Sequence, residues 1–225
     1  MTPEQNALFD LVTWDFPGAA IEAESFRRIE AEVPPEQRAR FSPSEWHIAR
    51  RLVHTTADFE ILPHLRFHGD PVGAGRAALR RGALIYSDSN MIKAGLSVPK
   101  LKRFHPGYTR DSILCEVASP DVAELAKREN ITRALAAVKL HEQELDGSIF
   151  LCGNAPLALA GMIRMIVEGG PRPALIVGMP VGFVNVLESK ELLKLVDVPY
   201  ITLEGRRGGS PLAVAALHAV MEDFL

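Results

Sequence analysis

The sequence predicts an α/β fold of three layers (α/β/α), in which helices cover both faces of a mostly parallel sheet. The main observation is the stretch SIFLCGNAPLALAGMIRMIVEGGPRPALIVGMPVGFVNVLESK, residues 148–190. Two short apolar runs, 149–152 and 174–177, each end in a glycine-containing turn, and a long apolar segment, 157–167, lies between them. This order is typical of a strand–helix–strand unit. Both runs are apolar throughout, as expected of parallel strands that are buried on both faces.

The turns after these two runs, GNAP and GMPVGF, are where we expect function. In an open parallel sheet, ligands bind beyond the carboxyl ends of the strands. Further strands are predicted at ALIY (83–86), SILCEV (112–117) and YITL (200–203). Asp88 follows the first of them and could be a ligand group, but we favour its interpretation as an N-cap for the helix NMIKAG.

The bulk properties of the 225-residue chain indicate one globular domain, residues 1–225, and exclude several classes of protein. Hydrophobic residues make up 47% and charged residues 24%, which is ordinary for a globular domain. The net charge of -3 leaves no basic excess for a general nucleic-acid binder. No apolar run approaches the roughly 20 residues that a membrane span needs, and the N-terminus does not resemble a signal peptide.

The two cysteines and the paired histidines give no sign of a metal site or a disulfide. Cys115 and Cys152 each lie inside an apolar run, so we expect buried free thiols, in keeping with a reducing cytoplasm. His64 and His68 have a spacing of four, but the neighbouring proline and glycine argue against a regular helix there. We therefore expect no protein-bound metal.

Two helices are predicted in the N-terminal part. Residues 20–32 have a helical pattern that includes Ser25, whose hydroxyl is expected to bond back to a carbonyl of the preceding turn. Ser42-Pro43-Ser44-Glu45 is a capping box that starts the next helix. Arg51 and His54 project from one side of its last turn. A histidine there is biased towards its charged form by the helix dipole and suits a proton donor, although a simple capping role is more common.

Two later helix starts are of interest. The helix predicted over 130–145 opens NITR and places Arg133 in its first turn, where the dipole disfavours a cation; such a placement hints at function. The Gly208-Gly209-Ser210-Pro211 turn leads into a helix that Ser210 is predicted to cap. It is either an anion site or a simple turn and cap. No GxGxxG or P-loop motif supports a nucleotide-binding module.

Seven motifs together resemble the precorrin-8X and cobalt-precorrin-8 methylmutases of cobalamin biosynthesis. They span about residues 20 to 217 and are ESF (24–26), RRLVH (50–54), GALIYSD (82–88), NITRA (130–134), GNAPLAL (153–159), GMPVGFVNVLESK (178–190) and GRRGGSPLAVAAL (205–217). The sequence departs from the family at Ile131, inserted between Asn130 and Thr132, and at Thr55-Thr56, where relatives more often carry a small residue and then glycine.

The resemblance implies an isomerase that moves a methyl group from C11 to C12 of precorrin-8 or cobalt-precorrin-8. The product would be hydrogenobyrinic acid or cobyrinic acid, and no external cofactor would be needed. It also implies a homodimer that binds a corrin-precursor polycarboxylate near the subunit interface. From the cysteines, the net charge and the lack of a long apolar run we expect a cytoplasmic protein with no nucleic acid or membrane partner. A non-catalytic tetrapyrrole carrier and a phosphate-binding module remain as alternatives.

The resemblance also assigns roles to individual residues. The histidine that matches His54 donates a proton to the macrocycle, and Arg51 on the same side of the helix would face the ligand. Ser25 and Arg133 match ligand-contacting residues, and Ser97 stands where relatives often have threonine. Other substrate-binding candidates are Arg206, for the carboxylates, and Asn154 and Gly178, in the turns expected to form the floor of the pocket. A basic segment could also contact the carboxylates, through Lys93, Lys100, Lys102, Arg103 and Arg110.

Overall fold

Six strands form the central sheet in residues 1–222, the part of the chain that this computed structural model describes (apart from the side chains of Pro3 and Ala19). They are β1 (Leu65–His68), β2 (Ile85–Ser87), β3 (Ile113–Leu114), β4 (Ile149–Cys152), β5 (Leu175–Gly178) and β6 (Tyr200–Leu203). Their order is β1-β6-β5-β4-β2-β3, and all neighbours are parallel except β1 and β6. The prediction of a mostly parallel sheet is confirmed.

Twelve α-helices surround the sheet within the same described residues. They are α1 (Pro3–Asp10), α2 (Gly18–Glu32), α3 (Pro35–Arg38), α4 (Pro43–Thr56), α5 (Pro71–Arg80), α6 (Asn90–Gly95), α7 (Val98–Lys102), α8 (Pro120–Glu129), α9 (Arg133–Leu140), α10 (Pro156–Val167), α11 (Val186–Glu191) and α12 (Ser210–Met221). Short 3-10 turns cover Phe59–His64, Glu142–Leu145 and Leu192–Leu195. None of the helices in residues 1–222 has the length and apolar character that crossing a membrane requires.

Side chains of β4 point alternately into two separate cores, which shows that both faces of the sheet are covered. Ile149 and Leu151 belong to a first core that also contains buried residues of α4, α5, α6 and α12. Phe150 and Cys152 belong to a second core formed with α10 and the end of α9. This is the period-2 alternation of a strand between two helix layers, and the three-layer α/β/α fold is confirmed.

The predicted capping box starts α4. The Ser42 side chain accepts a hydrogen bond from the backbone N–H of Glu45, and the Glu45 side chain accepts one from the Ser42 N–H. The helix ends at Ala57, whose φ of 52° lies in the left-handed region. Buried Trp46, Leu52 and Val53 turn the apolar face of α4 towards the first core.

Two predicted elements are shorter than expected. The strand predicted over 112–117 is reduced to Ile113–Leu114, because β3 is an edge strand that pairs with only two residues of β2. The helix predicted over 130–145 is divided. Asn130, in a left-handed conformation, ends α8, and the Thr132 side chain accepts the Leu135 N–H and starts α9. Arg133 is nevertheless in the first turn of a helix, as predicted.

Candidate functional site

The loops that follow β4, β5 and β6 meet at the carboxyl edge of the sheet. The N–H of Gly209 donates to the carbonyl of Met179 at 2.8 Å, and that of Gly182 to the carbonyl of Arg206 at 3.2 Å. Gly153 lies so close to the last loop that a Cβ on it would be 2.7 Å from the backbone N and Cα of Ser210. The loops after β4, β5 and β6 therefore pack together at the edge where the sequence predicts a ligand site, and we call them the loop cluster.

Asp88 ties the loop after β2 to the loop after β4. Its buried carboxylate accepts the backbone N–H groups of Asn154 and Ala155 at 2.7 Å and that of Gly153 at 3.1 Å. The expectation that Asp88 caps NMIKAG is wrong, because the Ser89 side chain caps α6. Asp88 therefore fixes the GNAP turn that leads into α10.

Cys152 is a buried thiol that donates to the same carboxylate, with Sγ 3.3 Å from Asp88 Oδ2. Burial, followed by the neighbouring Asp88, raises the pKa of the Cys152 thiol well above its usual value. The thiol therefore stays protonated and acts as a hydrogen-bond donor rather than as a nucleophile. The prediction that Cys115 and Cys152 are buried free thiols is confirmed.

Gly209, not Ser210, is the N-cap of α12. Its φ of 128° is a conformation that side chains rarely adopt, and Gly209 accepts the N–H groups of Leu212 and Ala213 at 3.1 Å. The hydroxyl of Ser210 is buried and lies 2.9 Å from that of Ser89. The prediction of a serine cap is wrong because this hydroxyl connects α12 to the start of α6 instead.

Lys190 holds the loop after β6, and the motif analysis did not single it out. Only 4% of the residue is exposed, and its ammonium donates at 2.7 Å to the carbonyls of both Gly205 and Arg207. Burial lowers its pKa to about 8. A lysine inside a matched motif, ESK, was the signal that could have drawn attention to it. Between its two acceptors lies Arg206, whose exposed guanidinium is 5.5 Å from the ring of Phe183.

His54 lies at the same edge, contributed by α4. Two side chains that follow α4, Asp58 and Glu60, form ion pairs with Arg207 of the loop after β6, at 3.3 and 2.8 Å. The end of α4 is therefore joined to the loop cluster. The ring of His54 is half-buried and meets the ring of Phe26 edge-on, with 5.2 Å between the centroids.

Phe26 brings three of the predicted site residues together. It follows Ser25 on α2, lies against His54, and has the guanidinium of Arg51 over its ring at 4.6 Å. Ser25 donates to the carbonyl of Ile21 at 2.8 Å, which is the back-bonding predicted for a serine inside a helix. Arg51 forms ion pairs with Glu22 and Glu222.

Ser97 joins this group through α12. It caps α7, and its backbone N–H donates to Nε2 of His218 at 3.1 Å. Burial and the nearby Lys100 lower the pKa of His218 to about 4, so its ring is neutral and accepts this bond. His218 and Arg51 line a cleft of about 370 Å³ between α4, α6 and α12. A larger cleft, of about 760 Å³, lies beside Arg206 and is also lined by Phe59 and Leu187.

Three further predicted residues are Arg133, Gly178 and Asn154. Arg133 is exposed at the start of α9, which packs in the second core, on the face of the sheet opposite α4. Gly178 is buried at the end of β5. Its carbonyl accepts the Thr202 hydroxyl at 2.5 Å, which connects the ends of β5 and β6 beneath the loop cluster. Asn154 is exposed in the GNAP turn. Within the described residues, no group of three or more His, Cys, Asp or Glu side chains is placed to hold a metal ion.

Comparison with known proteins identifies the family. The family model described as Precorrin-8X methylmutase matches residues 20–223, nearly the whole chain. The chain belongs to this methylmutase family. It is thus an isomerase of cobalamin biosynthesis that acts on a corrin precursor, and the resemblance found in the motifs is confirmed.

Individual methylmutases align along almost their whole length. The cobalt-precorrin-8 methylmutase of Priestia megaterium is 41% identical over 200 residues, 89% of this chain and 85% of the relative. The precorrin-8X methylmutase of Pseudomonas aeruginosa is 38% identical over 208 residues, 92% of this chain and 96% of the relative. The crystal structure of the precorrin-8X methylmutase from Thermus thermophilus has a TM-score of 0.80 and 46% identity, and covers 91% of this chain and 95% of that one.

Proposed function

We propose that this methylmutase moves a methyl group from C11 to C12 of precorrin-8 or cobalt-precorrin-8, with His54 as the proton donor. The products would be hydrogenobyrinic acid and cobyrinic acid. The observation that carries the proposal is the place of His54: a half-buried histidine at the end of α4, where ion pairs join the chain to the loop cluster. The carboxyl edge of a parallel sheet is the usual ligand site of this fold class.

The proposed reaction is a [1,5]-sigmatropic shift within one molecule. A proton given to the macrocycle by His54 draws electron density from its conjugated system and lowers the barrier to methyl migration. A proton is released again as the product's conjugation is established, so the reaction is an isomerisation and needs no oxidant, reductant or group donor. The contact between His54 and Phe26 restricts the ring of His54, and a fixed donor position reduces the entropy cost of the transfer.

Basic and hydroxyl groups around this edge suit a ring with acetate and propionate arms. Arg51 is one helical turn before His54, and Arg206 is exposed beside the larger cleft. We assign carboxylate binding to these two arginines. Ser25 and Ser97 are assigned hydrogen bonds to the substrate, and the loops after β4 and β5, which contain Asn154 and follow Gly178, are assigned the floor of the pocket.

We also propose that the protein is a homodimer that completes its site with Arg133 of a second copy. Arg133 lies on the opposite helix layer from His54, so one chain presents the two residues on different faces. A two-fold dimer in which these faces meet would bring both residues to one ligand.

The test is turnover of both substrate forms, followed by the visible spectrum as the ring conjugation changes. His54→Ala should lower kcat by about 100-fold or more, the usual contribution of general acid catalysis, with product binding retained. His141→Ala is the matched control, since His141 follows α9 on the opposite layer and contacts Glu144. Wild-type turnover by His54→Ala would refute the donor assignment. Tight binding of product by the wild type without turnover of either substrate form would support a carrier instead.

A further inference from the structure

Basic side chains from two helices surround the carboxylate of Glu222, the residue that follows α12. Oε2 lies 2.7 Å from Arg51 Nη2 and 3.3 Å from His47 Nε2, both on α4, and Oε1 lies 2.7 Å from Lys100 Nζ on α7. Only 16% of the Glu222 side chain is exposed. This arrangement is that of an occupied carboxylate-binding site, in which the chain supplies its own carboxylate.

The basic groups are strong enough to keep this partly buried carboxylate ionised. Burial alone would raise the pKa of the Glu222 carboxyl, but hydrogen bonds from His47, Lys100 and Arg51 outweigh it and hold the pKa well below its usual range. Arg51 also pairs with Glu22. Removing the Glu222 carboxylate without a replacement would leave excess positive charge in a largely desolvated place, which is costly. Another carboxylate would restore the balance.

The cluster lies at one end of the cleft between α4, α6 and α12. Arg51 belongs to both, because it lines the cleft together with His218 and Val214 and binds Glu222. His218 is largely neutral at pH 7, since its pKa is lowered to about 4, so it adds no competing charge. Along α4, His47 is seven residues before His54, about 10 Å at the usual rise per residue. A side arm of a macrocycle held near His54 can span that distance.

Glu222 can leave the cluster without unfolding α12. Arg76 donates from Nε to the carbonyl of Val220 at 2.8 Å and from Nη2 to the carbonyl of Glu222, so the backbone at the helix end is held separately. Glu222 itself has left the helix and is extended, with φ −87° and ψ 146°. Rotation of its side chain is enough to free the three basic groups.

We infer that His47, Arg51 and Lys100 form a subsite for one carboxylate arm of the substrate, and that Glu222 fills this subsite until the substrate arrives. Glu222 is then an internal competitor of the substrate. The inference rests on the proposed function, because it takes the ligand to be a polycarboxylate. An ion network with a purely structural role would contribute to stability in the same way, so the test must measure competition as well as stability.

The first measurement is steady-state kinetics of Glu222→Gln. Without the competing charge, KM should fall about 3- to 10-fold while kcat changes little, because the reacting centre is untouched. Lys100→Met should raise KM instead. Glu168→Gln is the matched control, since Glu168 pairs with Arg164 on the exposed side of α10. An unchanged or higher KM in Glu222→Gln would overturn the inference.

The second measurement does not depend on turnover and uses sodium propionate as the probe. Propionate should raise the melting temperature of Glu222→Ala by several degrees more than sodium chloride of equal ionic strength, because it refills the subsite. The wild type and Glu222→Ala/Lys100→Met should show no such difference. If Glu222→Ala does not fold in chloride, its refolding yield in the two salts gives the same comparison.

The two measurements separate the failure of this inference from that of the proposed function. No turnover of either substrate by the wild type would refute the proposed function, and the propionate comparison would still decide whether a carboxylate site exists. Equal effects of propionate and chloride on Glu222→Ala would refute the subsite. Specific propionate binding combined with an unchanged KM in Glu222→Gln would show that the substrate does not use the site, which also overturns the inference.

Discussion

At the scale of single residues, two buried charges in the loop cluster are compensated by backbone groups rather than by opposite charges. Lys190 donates to two carbonyls, and Asp88 accepts three backbone N–H groups. Each therefore fixes the path of a loop: Asp88 that of GNAP, and Lys190 that of the segment containing Arg206. The partners of Lys190 lie 15 to 17 residues away in the chain, and those of Asp88 lie 65 to 67 residues away. Local sequence patterns could therefore not predict these bonds.

Lys190→Met should remove a pH-dependent part of the stability. The folded pKa of Lys190 is about 8, below the ordinary lysine value of 10.5, so above pH 8 the unfolded chain binds more protons at this residue. The free energy of unfolding should therefore rise between pH 8 and 10 in the wild type relative to Lys190→Met, by about 1–3 kcal/mol. Urea unfolding at both pH values measures this difference.

Lys194→Met is the control for that experiment. Lys194 is exposed on the next turn, and its hydrogen bond with Glu191 raises its pKa above 10.5, so it stays charged over the same pH interval. Its removal should leave the pH dependence of the wild type unchanged. A pH dependence in Lys190→Met equal to that of the wild type would mean that Lys190 does not titrate in this interval.

At the scale of elements, apolar runs predicted the central strands but not the edges of the sheet. β4 and β5 are buried throughout, which gives continuous apolar sequences that can be recognised. β1, by contrast, has the sequence LRFH and is half-exposed at an antiparallel edge, so no pattern marked it as a strand. The capping box of α4 was predictable because its bonds are local, whereas Ser210 bonds to Ser89, 121 residues away.

Gly153→Ala should separate the loops that follow β4 and β6. The added Cβ would lie 2.7 Å from backbone atoms of Ser210, which cannot rotate away as a side chain could. Overpacking of this kind costs about 1–3 kcal/mol, and the melting temperature should fall by about 2–4 °C per kcal/mol. KM for the substrate should rise as well, because the displaced loops carry Asn154 and Arg206, which we propose to contact the substrate.

Gly18→Ala is the control. Gly18 lies in the first turn of α2, and a Cβ added there would have no atom within 4 Å. This change should be neutral or slightly stabilising. Scanning calorimetry of the two variants with the wild type is sufficient. Equal melting temperatures for all three proteins would show that the two loops are not rigidly packed.

At the scale of the whole molecule, the motifs identified the family but not the faces of the sheet on which their residues lie. Ser25, Arg51 and His54 lie around Phe26 on one face of the sheet. Arg133 comes from the other face, although its motif belongs to the same set of seven. A linear motif carries no information about the face of the sheet on which its residue lies. Only the structure shows that α4 and α9 belong to different helix layers.

The proposed homodimer makes a prediction that mixing experiments can test. His54→Ala and Arg133→Ala should each be inactive or nearly so as homodimers. If each site takes His54 from one copy and Arg133 from the other, a mixed dimer contains one site with both residues intact and one with neither. Equal amounts of the variants, exchanged at random, should then recover about a quarter of wild-type activity. If one copy supplies both residues, every site in the mixture lacks one of them, and exchange should restore no activity. Differently tagged variants allow the mixed dimer to be purified, and its turnover per dimer should be about half that of the wild type.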